Sequence, residues 1–241
     1  MTPPTTATDV EQALRAVASD DKAAILARFF KTGKGEYGEG DRFIGVTVPQ
    51  QRALVKQIAS LPWNEIENLL QSEYHECRLT ALLLLVKMFD KSKSEAMRQQ
   101  IYDFYIAHHT RANNWDLVDL SAPQIVGGYL LDKQRTPLKS YAQSDCLWLQ
   151  RIAIVGTFAF IKRRDYADTL AIAQQLLHHP HDLIHKAVGW MLREVGKRDF
   201  DTEFRFLAED GRYNTMPRTM LRYAIEKFPE ELRQRFLHGT I

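Results

Sequence analysis

Trp115-Asp116-Leu117-Val118-Asp119-Leu120-Ser121-Ala122 decides the fold, because four other segments can be laid over it. These are Arg78-Leu79-Thr80-Ala81-Leu82-Leu83-Leu84-Leu85-Val86-Lys87, Arg151-Ile152-Ala153-Ile154-Val155-Gly156-Thr157-Phe158-Ala159-Phe160, Lys186-Ala187-Val188-Gly189-Trp190-Met191-Leu192-Arg193 and Arg218-Thr219-Met220-Leu221-Arg222-Tyr223-Ala224-Ile225. Each opens on a polar or aromatic residue and continues in an apolar body. Successive starts lie 37, 36, 35 and 32 residues apart. Each interval holds a further amphipathic stretch, such as Glu95 to Ile106 or Tyr166 to Leu177. A helix pair recurring at that period predicts an all-α, HEAT-like solenoid whose second helices line a concave groove.

The flanking sequence agrees with helices throughout. Val10, Leu14 and Val17, then Ile25, Leu26, Phe29 and Phe30, recur at helical spacing, with Asp20-Asp21 at the junction. Thr32 to Asp41, with four glycines, reads as a loop. Phe43-Ile44-Gly45-Val46 reads as an apolar plug leading to a helix start near Pro49. Helical patterning resumes over Gln50–Ile58, Trp63–Leu70 and Cys77–Phe89. No stretch alternates at period two, and no Asn-Gly or Asp-Gly hairpin signal occurs. The expected organisation is a disordered tail over 1–8 and a single repeat domain over 9–241.

Composition narrows the function classes. The 45 % hydrophobic and 26 % charged content suits a globular protein. Cys77 and Cys146 lie far apart without CxxC spacing, which argues against a disulfide framework or zinc site and for a reducing compartment. The Ala81–Val86 run is too short to cross a bilayer, and no charged-then-apolar leader opens the chain. Residues 1–120 carry 14 basic and 16 acidic side chains, and residues 121–241 carry 18 and 14. The basic excess of the second half is compatible with a phosphate-facing surface.

Within the repeat, Trp115 and Arg151 occupy the first position of their units, and Asp119 and Trp190 the position one turn later. Two indoles, a guanidinium and a carboxylate are thereby expected at one end of adjacent parallel helices. The alternative is plain structure, in which Asn114 or Asp116 caps a helix and Trp115 anchors a core. Asp116 lies on a different helix face from Trp115 and is read as a cap or salt-bridge partner. Lys162-Arg163-Arg164 and Lys197-Arg198 follow two of the repeat helices, where the helix dipole favours cations. His178-His179-Pro180-His181 and His185 lack a completing carboxylate or cysteine and read as a loop and helix start rather than a metal site.

Trp115-Asp116-x-x-Asp119-x-Ser121-Ala122, Trp148-Leu149-Gln150-Arg151-x-Ala153 and Lys186-Ala187-x-Gly189-Trp190-x-Leu192-Arg193-Glu194 resemble three signatures of the AlkD-type DNA alkylation repair glycosylases. Phe43-x-Gly45-Val46-x-x-Pro49-x-x-Arg52 resembles the family's amino-terminal signature. The likeness runs from about Asp9 to Phe236. It implies a HEAT-like fold around duplex DNA and hydrolysis of the N-glycosidic bond of cationic alkylpurines such as 3-methyladenine and 7-methylguanine. On that resemblance Asp119 is the catalytic carboxylate, Trp115 and Trp190 pack against the deoxyribose and its backbone, and Arg151 clamps a phosphate. Arg193 and Lys186 are further DNA-binding candidates, and Tyr37 resembles a tyrosine that approaches DNA in relatives. No metal or cofactor is expected, and the expected form is a monomer in the bacterial cytosol. Two rivals stand beside this reading: a non-catalytic DNA-structure-binding relative and a protein-binding HEAT scaffold.

Overall fold

The computed structural model describes residues 3–241. Among them the regular structure is helical, and the single β feature is an isolated bridge between Arg42 and Tyr74. The chain falls into two compact units, Met1–Ser121 and Ala122–Ile241. No helix among the described residues is long and apolar enough to cross a membrane.

The first unit runs α1 (Ala7–Arg15), α2 (Asp20–Phe29), α3 (Val48–Gln57), α4 (Trp63–Gln71), α5 (His75–Lys91), α6 (Glu95–Ala107) and α7 (Trp115–Asp119). Helix α1 starts inside the stretch expected as a tail. Thr6 Oγ1 accepts from Asp9 N at 3.1 Å, and the Asp9 carboxylate accepts from Thr6 N at 3.0 Å, a reciprocal cap that defines the first turn. Met1 and Thr2 lie outside the described residues. Helix α1 ends before Val17, which is 49 % exposed instead of continuing the apolar stripe. Helix α2 buries none of its residues, and Ile25 and Phe29 on it are 57 % and 61 % exposed. The glycine-rich segment before Asp41 is a loop, as its composition predicts.

Helix α5 is the centre of this unit. It is buried on nearly every face from His75 to Leu85 and packs against α1, α3, α4, α6 and α7. Its Glu76 side chain is 1 % exposed, so the carboxylate needs donors from the protein. The apolar plug supplies them: Ile44 N, Gly45 N and Val46 N donate to Glu76 at 3.0, 2.8 and 3.1 Å. Three consecutive amides aimed at one carboxylate require a bent backbone, and Gly45 takes φ +89°. A Cβ there would overlap the Ser19 carbonyl oxygen.

The second unit opens with a π-helical turn, Pro123–Gly127. It continues through α8 (Gly128–Leu130), α9 (Thr136–Ala142), α10 (Leu147–Gly156), α11 (Phe158–Ile161), α12 (Ala167–Gln175), α13 (Asp182–Gly196), α14 (Phe200–Ala208), α15 (Arg212–Thr215), α16 (Arg218–Ala224) and α17 (Glu230–His238). Helix α10 packs against α13, and α13 against α16, while α9, α12 and α14 cover them. This is the helix-pair stacking that the repeat predicts. Gly189 lets α13 approach α16 closely, since a Cβ there would overlap the Met220 carbonyl oxygen.

The register differs from the sequence reading at the helix starts. Arg78, Arg151 and Lys186 are not first residues of their helices, because α5, α10 and α13 begin at His75, Leu147 and Asp182. Only Trp115 and Arg218 open theirs. The Trp115 segment is also shorter than a full repeat helix. Pro123 has no N–H to carry the ladder on from the end of α7, and the chain widens into the π turn instead.

One buried group has no counter-charge bonded to it. Glu203 on α14 is 1 % exposed, and its Oε1 has no hydrogen-bond partner. Burial pushes its pKa up from 4.5 to about 9, against a smaller opposing pull from the Arg193 charge.

Two outcomes follow for stability. Gly45→Ala is expected to lose at least about 3 kcal/mol in urea denaturation, through both the positive φ and the overlap with Ser19. For Glu203, the folded chain keeps a proton that the unfolded chain releases above 4.5. Stability should therefore fall as pH rises towards about 9, by about 1.4 kcal/mol per pH unit. Glu203→Gln should flatten that slope and be more stable than wild type at about pH 8.

Candidate functional site

The segment carrying Trp115 and Asp119 is a five-residue helix held rigidly on one side. Asn114, fully buried, caps it by accepting from Trp115 N at 2.8 Å. Asp116, Leu117 and Val118 are buried, whereas Trp115 and Asp119 are half-buried. The four-residue spacing thus leaves an indole and a carboxylate on the accessible side of a helix whose other side is fixed.

The fixing groups are charged. Asp116 is the salt-bridge partner that its spacing suggests: His75 Nε2 meets its Oδ2 at 2.9 Å. On the other side of the same ring, His75 Nδ1 meets Asp41 Oδ2 at 2.8 Å. Asp41 also accepts from Arg78 and, at 3.4 Å, from Asn114 Nδ2. Burial works against charge on His75, but the charge and hydrogen bond of Asp116, followed by those of Asp41, outweigh it and raise the His75 pKa to about 9. Burial likewise acts to raise Asp41, and His75 and Arg78 together hold it below the ordinary carboxylate value.

An aromatic stack lies against this network. The His75 ring is 4.6 Å from Phe43 and 4.9 Å from Phe30, and Phe30 stacks on Trp115 at 5.2 Å with an interplanar angle of 25°. Phe29 meets the Trp115 ring edge-on at 5.8 Å. Beyond Asp119, Ser121 Oγ is 2.9 Å from the hydroxyl of the buried Tyr105. Burial raises the Tyr105 pKa; the Ser121 hydrogen bond opposes this and the nearby Asp119 charge adds to it.

In the second unit, Arg151 is 4 % exposed and donates through Nη1 to the Leu183 carbonyl at 2.6 Å. One nitrogen of the guanidinium expected to fork onto a phosphate is therefore engaged by the backbone at the start of α13. Lys186 pairs with Asp182 at 2.7 Å, and Arg193 pairs with Glu226. Trp190 is half-buried, 6.0 Å from the Phe158 ring. Tyr37, in the first unit, is half-buried with Lys31 Nζ 6.0 Å from its ring centre.

The basic runs do more than sit at helix ends. Lys197 and Arg198 both pair with Glu194, at 2.6 and 2.9 Å, while Lys162 and Arg198 lie over the Phe158 ring at 4.6 and 5.7 Å. Phe158 thus links them to Trp190, a connection that spacing along the chain does not show. The histidines build the turn into α13: Leu183 N donates to His181 Nδ1 at 3.1 Å, His181 N to His179 Nδ1 at 3.0 Å, and His179 Nε2 contacts Gln150 Oε1 at 2.9 Å.

Sequence reasoning missed His75 and Asp41. A signal existed, since His75 stands one turn before Arg78 on the same helix, but the apolar period begins only at Cys77.

The packing of α10, α13 and α16 with their covering helices defines the class, an all-α helical-repeat protein. A model of the DNA alkylation repair enzyme family matches residues 10–228, and the chain belongs to that family. Among solved structures it is similar to a protein described as "Predicted DNA alkylation repair enzyme from Enterococcus faecalis". The two share 17 % identity over 88 % of this chain and 97 % of the other, with a TM-score of 0.68, a likeness of fold. No curated protein matches the chain.

The cap offers a direct check on the rigidity of α7. Asn114→Ala should cost about 1–2 kcal/mol in equilibrium unfolding, since it removes both the cap and a donor to Asp41.

Proposed function

We propose that the protein is a DNA glycosylase that hydrolyses the N-glycosidic bond of cationic N3- or N7-alkylated purines in duplex DNA. The observation that carries this reading is α7: Trp115 and Asp119 are half-buried, one turn apart, on a helix whose intervening residues are buried and whose Asp116 is bonded to His75. Rigid placement of a carboxylate is what this chemistry asks of a protein.

An N3- or N7-alkylpurine carries a positive charge and leaves as a neutral base when the C1′–N bond breaks and its electron pair passes to the ring. No strong general acid is needed at the base. The deoxyribose develops oxocarbenium character, which the Asp119 carboxylate stabilises. The same carboxylate orients a water for attack on C1′ and receives its proton. The Trp115 ring packs against the sugar and attracts the developing charge.

Trp190, Arg151, Lys186, Arg193 and Tyr37 take DNA-facing roles on the strength of the family resemblance. Lys186, whose side chain is 40 % exposed, exchanges Asp182 for phosphate oxygens, and the more buried Arg193 exchanges Glu226. The exposed Lys186–Asp182 pair is worth little, so its exchange is inexpensive.

Asp119→Asn tests the assignment. Wild type should release 7-methylguanine from methylated duplex DNA, and the variant should release little while binding the duplex as tightly. Binding should weaken steeply with salt, as phosphate contacts require. Duplex binding without release by either protein would favour a non-catalytic relative, and the absence of salt-sensitive DNA affinity would favour a protein-binding scaffold.

A further inference from the structure

We propose that His75, as an imidazolium clamped between Asp41 and Asp116, is the positioning residue that orients α7 and the Trp115 ring. The role rests on the glycosylase reading for its consequence in catalysis, though not for its geometry. Both ring nitrogens lie within hydrogen-bond distance of a carboxylate oxygen, 2.8 Å at Nδ1 and 2.9 Å at Nε2. Two ionised acceptors on opposite sides of one imidazole require two N–H donors, so the ring is a cation.

The surroundings agree with that charge. His75, Asp41 and Arg78 have side chains 2 % exposed, and Asp116 8 %. Two cations and two anions close a neutral group inside the fold, which is how buried charge is tolerated. Arg111 lies nearby, donating to the Leu70 and Ser72 carbonyls at 2.8 Å each, and its charge interacts with Arg78 and Asp41. Asp116 Oδ1 is buried with no hydrogen-bond partner, so the carboxylate depends on His75 for its bond.

His75 reaches Trp115 by two routes. One runs through Asp116, the next residue of α7. The other runs through the rings, His75 against Phe30 and Phe30 against Trp115. Loss of the ring proton leaves one N–H for two carboxylates; Asp41 keeps Arg78 and Asn114 as donors, whereas Asp116 has only His75. Asp116 and Asp41 compete for the single N–H that remains, and α7 loses its fixed orientation. The stabilising effect of this proton is complete below 6.5 and is lost as pH rises through about 9.

The experiment combines nuclear magnetic resonance with single-turnover excision. In uniformly ¹⁵N-labelled wild type, both His75 ring nitrogens should be protonated at neutral pH and titrate near about 9. The Trp115 indole N–H signal, assigned with Trp115→Phe, should move with the same midpoint. Asp116→Asn should lower that midpoint and slow 7-methylguanine release about 100-fold at saturating enzyme, with duplex affinity unchanged. A neutral His75 ring at neutral pH, a Trp115 signal indifferent to its titration, or wild-type release by folded Asp116→Asn would each overturn the proposal. If Asp116→Asn fails to fold, the wild-type titration of His75 and Trp115 decides. If wild type releases no purine, the glycosylase reading fails, and the same two signals still judge the positioning role.

Discussion

Charge buried in the first unit is the constraint on which its architecture depends. Helix α5 carries His75, Glu76 and Arg78 in one turn, all at most 2 % exposed. None of them is stable there without partners supplied by distant parts of the chain. Glu76 draws the Ile44–Val46 backbone onto the helix, and Arg78 and His75 draw in Asp41. His75 also draws in Asp116 and with it α7. The apolar plug, the end of the glycine-rich loop and the helix bearing Trp115 and Asp119 are therefore tied to a single turn of α5.

The second unit is organised mainly by packing, and its buried charged groups are scattered, with Arg151 on α10, Glu194 on α13 and Glu203 on α14. Helices α10, α13 and α16 pack on one another, with Gly189 letting α13 approach α16 closely and Arg151 on α10 bonding the Leu183 carbonyl of α13. Lys186 pairs with Asp182 at the surface, whereas Arg193, paired with Glu226, is 16 % exposed. An exposed pair such as Lys186–Asp182 is weak and permits exchange for another anion. The Asp41–His75–Asp116 chain does not, because each partner is closed off from water.

Much of this was legible in the chain. Helical spacing and a recurring helix pair of about 35 residues are local properties, and they were enough for an all-α repeat fold. Trp115 and Asp119 stood out because four-residue spacing places them on one helix face whatever surrounds them. Asp116, which points away from that face, was legible as a cap or a salt-bridge partner; the cap is Asn114 and Asp116 pairs with His75. Helix starts were less legible. Arg78, Arg151 and Lys186 open the apolar pattern but not the helices, since α5, α10 and α13 begin three or four residues earlier, at His75, Leu147 and Asp182.

Spacing within a few residues was enough for the helical class and for the shared face of Trp115 and Asp119, and a period of about 35 residues for the repeat. Which groups neutralise one another is set by packing between distant parts of the chain. Asp41 and Asp116 lie 34 and 41 residues from His75, and Glu76 binds amides about 30 residues away. The same holds for Arg151, whose guanidinium finds the Leu183 carbonyl 32 residues on. Partners of that kind are chosen by burial, where an unpaired polar group is costly enough to select its mate from anywhere in the chain. No local spacing records that choice.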